Sequence, residues 1–451
     1  MILKETHRVR RGRRINRERG FTLAELIVGL AVTSIVLIGL YQVFESNSNL
    51  ARTQTDIADM QQSLRIAQNE MVRMTRMAGR GGLPEVAIRN NNRLLPAIEV
   101  RDDAGNGGDP DEIAPGLTNS PKLIPGTDVL IIRGVFTSPL YQLNHADPTS
   151  FVLFDNGGQP TTDLNAAETG RVTVMNPAPT GVPQDLSAIT DAINDGSPEA
   201  LIVVSPIDER IFAVVELNPG ASSTSPTQVT IGFNIKPSNN AFDGYRDLYD
   251  SGTGPNPRLP NGLTSTAQVG IIEEYRYYVR DAEPSPRLSI ARMYPNTEEA
   301  HLDDLNNTRL DIADNIINFQ VALGFDSPLG DALADRNGDT LVDENDIIIT
   351  EYDDGEDDDW VFNTTPSKDD GFDKAPWIPP WDDDPNTGTP PQPELYFVRI
   401  STLARVQVPD RTYQAATLAE MENADPTNFN TTAQMQYRRH LLQTTIDLRN
   451  L

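Results

Sequence analysis

Apolar residues fall along this chain in three successive patterns. From Leu26 to Leu40 they are nearly continuous: ten Leu, Ile or Val residues with no proline and no charge, diluted by Gly29, Thr33, Ser34 and Gly39. Counted from Phe21 to Tyr41, the run is long enough to cross a bilayer, which needs about 20 residues at about 1.5 Å each. Next, Ile57, Met60, Leu64, Ala67, Met71, Met74 and Ala78 recur at three-four spacing, while Arg52, Asp56, Gln62, Arg65 and Glu70 fall elsewhere. That is one apolar stripe on an amphipathic helix, expected to pack on the protein's own sheet. The two patterns join into one helix from Phe21 to about Ala78, on the order of 85 Å long, closed by Gly79, Gly81, Gly82 and Pro84.

Beyond residue 80 the pattern shortens to strand-like pieces. These are Val129–Phe136, Arg171–Met175, Leu201–Val204, Ile211–Leu217, Gln228–Phe233, Ile271–Val279, Arg287–Met293, Ile316–Leu323, Tyr396–Val408 and His440–Leu448. Residues 101–128, with Asp102, Asp103, Gly105, Gly107, Gly108 and Pro110, read as a loop, and Pro/Ser/Thr/Asn-rich stretches at 218–226 and 251–266 separate strands. The expected fold is α+β: a long N-terminal helix, half transmembrane and half amphipathic, packed on a large, mainly antiparallel β head with long loops.

Charge sharpens the N-terminal reading. Residues 1–19 carry eight Lys or Arg against two acids, a positive-inside flank. The cleavage position at Gly20 precedes the apolar run, whereas a secretory signal peptide is cut after it. The apolar segment is therefore expected to be kept. Glu25 lies inside that segment. The aliphatic residues contribute about 4 kcal/mol toward insertion and one intramembrane carboxylate costs about 3, so a partner for Glu25 is expected.

Arg19-Gly20-Phe21-Thr22-Leu23-Ala24-Glu25 resembles the class III leader of type IV pilins and type II secretion pseudopilins. The resemblance implies that a prepilin peptidase cuts between Gly20 and Phe21 and methylates the new amino terminus of Phe21. It also implies that Glu25 pairs with the amine of a neighbouring subunit, as a buried carboxylate requires. Domain boundaries follow: leader 1–20, helix 21–80 with a membrane span at about 21–43, and head 81–451 with an acidic insertion at about 331–390. The chain would sit in the bacterial inner membrane by a single pass before assembly, and then in a pilus at the cell surface, with its head periplasmic or extracellular.

Three head segments narrow the resemblance to the PilW family of minor pilins: Gly126–Gly134, Asn315–Asp326 and Tyr437–Asn450. This implies a low-copy subunit that helps start pilus assembly or sits near the tip, with other major and minor pilins, and a tip adhesin, as partners in adhesion and twitching motility. A type II secretion pseudopilin resembling the GspJ group, and a surface adhesin displayed through the pilin pathway, are the alternatives.

The net charge of −28 becomes −34 once the leader's +6 is removed, which disfavours nucleic acid as a partner. No cysteine is present, so no disulfide holds this head, although exported proteins commonly use them. One loop offers a substitute. Asp335, Asn337, Asp339, Asp343 and Asp346 stand at positions 1, 3, 5, 9 and 12 of an EF-hand-like loop, with the Leu341 carbonyl at position 7, which is calcium-binding spacing. Thr340 replaces the usual glycine at position 6, and Asp346 is shorter than the usual glutamate. Around this loop, residues 331–384 hold nineteen acids against three bases and include Trp360, Trp377 and Trp381, a candidate docking surface. With four histidines and no G-x-S-x-G, H-E-x-x-H or P-loop pattern, no enzymatic activity is expected.

Overall fold

The computed structural model describes residues 22–83, 96–104, 113, 121–143, 148–163, 166–178, 180–196, 199–206, 212–235, 267–282, 285–295, 310–326, 359–361, 394–410, 413–418 and 429–448. The chain divides between Ala58 and Asp59 into two units. One helix, α1 (Leu23–Thr75), spans the division. It starts two residues later than expected, because Thr22 caps it, and stops three residues earlier, where turns begin at Arg76. Gly79, Gly81 and Gly82 all adopt positive φ. At Gly81 (φ 107°) a Cβ would also lie 2.6 Å from Val135 Cγ2, so only glycine fits this exit from the helix.

In the first unit α1 is apolar and exposed on every side, from Leu23 through Val36 to Phe44. Ser34 donates its hydroxyl to the Leu30 carbonyl (2.8 Å), which satisfies the polar atom within the apolar run. In the second unit the three-four stripe is buried: Met60, Leu64, Ala67, Met71, Met74 and, past the helix end, Ala78.

The second unit holds seventeen strands among the described residues. In chain order they are β1 (Ile98–Ala104), β2 (Thr127–Gly134), β3 (Tyr141–Gln142), β4 (Phe151–Asp155), β5 (Pro160–Thr161), β6 (Ala167–Met175), β7 (Ala200–Val204), β8 (Phe212–Leu217), β9 (Ser223–Ser225), β10 (Gln228–Asn234), β11 (Gln268–Arg280), β12 (Arg287–Met293), β13 (Leu310–Asp314), β14 (Ile316–Asp326), β15 (Asp359–Val361), β16 (Glu394–Arg405) and β17 (Arg439–Asp447). All ten expected strands are present, and every pairing is antiparallel. The fold is thus α+β, as expected. Residues 101–128 are not all loop: Arg101–Ala104 complete β1, which pairs with β2, and Thr127 opens β2. The stretch 218–226 likewise contains a 3₁₀ turn, Pro219–Ala221, and β9.

β11 organises the head. Its first residues, Gln268–Ile272, pair with β7, and its later ones, Glu273–Tyr277, pair with β2. One thirteen-residue strand thereby joins two parts of a branched thirteen-stranded sheet. The segment between β2 and β11 folds as its own layer. There β8, β10, β6 and β4 pair in sequence beyond β7, over a core that includes Leu201, Val215, Ile231, Phe233 and Val269. A second helix, α2 (Ser187–Asp195), closes that core with Ile189, Ala192 and Ile193 and ends on Gly196 in the left-handed conformation. A separate four-stranded sheet runs β15-β14-β16-β17. It reaches β2 through Asp128, whose Oδ2 accepts from Val321 N (2.7 Å), and reaches α1 through Thr444, whose hydroxyl donates to Gln68 Oε1 (2.8 Å).

Candidate assembly segment

Thr22 and Glu25 form a reciprocal cap on the first turn of α1. The Thr22 hydroxyl oxygen accepts from Glu25 N (3.2 Å), and Glu25 Oε2 accepts from Thr22 N (2.9 Å) and from the Thr22 hydroxyl (3.0 Å). A helix start leaves four backbone N–H groups without intrahelical partners, and a Thr-x-x-Glu capping box answers two of them. The carboxylate in the apolar run therefore has a local role as well as the intersubunit one expected of it. Thr22 did not emerge from reading the apolar pattern, although the spacing Thr22-Leu23-Ala24-Glu25 is itself the signature of this motif. Among the described residues the other carboxylate oxygen, Oε1, accepts from no donor.

Beyond this cap the helix presents an apolar surface interrupted only by Thr33 and Ser34 as far as Leu40. Leu26, Leu30 and Leu37 are each about 60% exposed, and the most apolar eighteen-residue stretch has a mean hydropathy of 2.4 with none of it buried. Exposed apolar surface of this extent is unfavourable in water by about 25 cal/mol per Å² and marks a surface meant for lipid or for another protein. Gly20 and Phe21 lie outside the described residues. So do Asp335, Asn337, Asp339, Leu341, Asp343 and Asp346, together with Trp377 and Trp381; of the acidic tract, Asp359, Trp360 and Val361 form β15, which pairs with β14. Among the described residues no cluster of three metal-ligating side chains occurs.

Among the described residues, the buried ion pairs lie in the head, where they hold strands together. Arg133 on β2 is fully buried; its Nε donates to Glu274 Oε2 on β11 (2.6 Å), its Nη2 to Glu99 Oε2 on β1 (2.6 Å) and its Nη1 to the Pro96 carbonyl (3.0 Å). Glu274 Oε1 also accepts from Arg276 Nε (2.7 Å). Burial works against the Arg133 charge, but the carboxylates of Glu274 and Glu99 more than offset it and hold the guanidinium above its ordinary value. Next to this group, buried Glu273 accepts from Thr137 N (2.7 Å), Phe136 N (3.1 Å) and Arg292 Nη2 (3.0 Å). Toward the edge formed by β12 and β13, Asp311 accepts from Arg280 (2.8 Å twice), Arg287 Nη1 (2.6 Å) and Ser289 Oγ (2.8 Å). Its partial burial would raise its pKa, yet these hydrogen bonds win and bring it down to about 2. These groups tie β1, β2, β11, β12 and β13 in a head without cysteines.

Comparison with known proteins points to the same N-terminal segment. Residues 15–41 match the family described as the prokaryotic N-terminal methylation motif, and this match covers Arg17, Arg19, Gly20, Phe21, Glu25 and the apolar run. No curated protein matches the chain. Among solved structures, a type IV-like pilin from Thermus thermophilus aligns with 10% identity over 59% of this chain and 96% of that one, at a TM-score of 0.16.

Proposed function

We propose that this chain is a minor pilin of a type IV pilus, of the PilW kind, inserted in the inner membrane and then drawn into a filament through α1. Prepilin peptidase would cut between Gly20 and Phe21 and methylate Phe21. The observation that carries the reading is that a methylation-motif match at residues 15–41 coincides with a capped helix whose apolar surface is exposed all round. In lipid that surface is solvated by acyl chains; in a filament it is covered by the same surface of other pilins. Glu25 would then offer its second oxygen to the Phe21 amine of a neighbour while keeping the Thr22 cap. The branched head, with its extra layer between β2 and β11, suits a position near the tip, where bulk does not have to repeat along a shaft.

Calcium at Asp335–Asp346 is part of this proposal. It rests on the alternation of oxygen-bearing side chains, which suits a hard cation, and binding to the folded head alone would stabilise it by mass action.

The test is direct. Mass spectrometry of the protein recovered from sheared surface fibres should show an N-terminal methylated Phe21, and Glu25→Ala should remain in the membrane but be lost from the fibres. A mature chain beginning after Tyr41, or Glu25→Ala incorporated at the wild-type level, would overturn the proposal. Recovery only in a periplasmic filament tied to protein export would assign the chain to a secretion pseudopilus instead.

A further inference from the structure

The inserted layer carries a trough of about 540 Å³ on the sheet face opposite its core, within the size range of small-molecule sites. Strand register shows how it is built. On β6, Val172 and Val174 point into the core, so Arg171 and Thr173 line the outer face. Arg171 is opposite Gly232 on β10 and Val152 on β4, and Thr173 is opposite Thr230, which is in turn opposite Ser223 on β9. Gly232 makes room for one wall of the trough, which includes Ala221. A Cβ there would lie 2.5 Å from Ala221 Cβ and 2.9 Å from its backbone, so glycine lets the Pro219–Ala221 turn close one wall. The Arg171 guanidinium lies over the Phe154 ring, 5.2 Å from its centroid. Among the described residues no carboxylate pairs with it, in a mature chain whose charge is −34.

We infer that this trough binds an acidic saccharide with isolated carboxylates. An arginine steadied on an aromatic face keeps its planar fork ready for a carboxylate, which it holds in two parallel hydrogen bonds. Hydroxyls such as those of Thr173, Thr230 and Ser223 both donate and accept, matching sugar hydroxyls better than hydrocarbon side chains. The strongly negative protein repels a dense polyanion, which favours a chain whose charges are spaced by neutral sugars.

The experiment uses the full processed chain in detergent micelles and, as probe, a hexasaccharide of alternating glucuronic acid and N-acetylglucosamine. A neutral N-acetylglucosamine hexamer and a Glu-Gly-Glu-Gly-Glu-Gly peptide serve as comparators, with titration calorimetry as the readout. The acidic hexasaccharide should bind, and the comparators should bind at least roughly ten-fold more weakly. Arg171→Ala should weaken binding roughly ten- to a hundred-fold, Arg171→Lys by less, and Thr173→Val by a few-fold, for the loss of charged and neutral hydrogen bonds. Because Arg171 is exposed, its variants should melt like the wild type. Absence of binding, equal affinity for either comparator, or unchanged affinity in Arg171→Ala would overturn the inference.

Discussion

Glu274→Gln isolates the buried charge network in one atom pair. Glu274 is fully buried and receives Arg133 Nε on one oxygen (2.6 Å) and Arg276 Nε on the other (2.7 Å). Glutamine keeps the volume and one carbonyl oxygen, but it turns an NH₂ toward the second guanidinium, donor against donor, and removes the anion between two buried cations. Breaking a buried pair from one side costs about 3–5 kcal/mol, about a fifth or more of the stability of a typical domain. If the roughly 390 residues from Asp59 to Leu451 melt as one unit, unfolding entropy near 0.8 kcal/mol per degree converts this to a drop in Tm of about 4–6 °C. Thermal melts followed by near-ultraviolet circular dichroism of the full chain in micelles measure it. The triple change Arg133→Met, Glu274→Leu, Arg276→Met should recover most of the loss, because replacing buried ions together with apolar volume is often neutral or stabilising, and Glu99, the carboxylate left behind, is part-exposed and keeps Arg101 (3.8 Å). A shift of less than about 1 °C for Glu274→Gln, or a triple variant worse than the single one, would refute the reasoning.

Asp311, with its pKa lowered from an ordinary 3.8 to about 2, contributes stability that is full above about pH 5 and is lost as the pH falls through 4 toward 2. Asp311→Asn should therefore cost about 2 kcal/mol at pH 7, with the gap to wild type closing by pH 2; a gap that does not depend on pH rules this out. Gly81→Ala combines a positive φ with a 2.6 Å contact and should cost about 2–3 kcal/mol in denaturant titrations, whereas Gly158→Ala (φ 71°, open space) should cost about 1; equal costs would show that the Val135 contact does not matter. Asp335→Ala with Asp339→Ala should lower the Tm in calcium and leave it unchanged in chelator, and identical melting in all four conditions would remove calcium from the proposal. Thr22→Val removes the hydroxyl that both accepts from Glu25 N and donates to Glu25 Oε2, so amide exchange at the first turn of α1 should rise by roughly five-fold or more, as expected for about 1 kcal/mol of lost cap.

Much of the architecture was legible along the chain because it rests on short-range periodicity. A helix buries every third or fourth residue and a half-covered strand every second, so the stripe from Met60 to Ala78 and all ten anticipated strands showed in the residue order. β1 was hidden because its end, Arg101-Asp102-Asp103-Ala104, has the composition of a turn; among the described residues it is an edge strand paired with β2 alone, where charged residues are tolerated. α2 escaped notice because its stripe is only two turns long and lies between proline- and glycine-rich segments.

Residue order alone specified the basic flank, the apolar run and the three-four stripe, since each depends on neighbours within one or two helical turns. Tertiary structure decided the rest: that β11 serves two parts of one sheet, that Glu274 meets Arg133 across 141 residues of chain, and that Arg171, Thr230 and Phe154 line one trough. Such pairings are set by strand register, in which a slip of one residue sends every side chain to the opposite face, and register is established only when the strands meet.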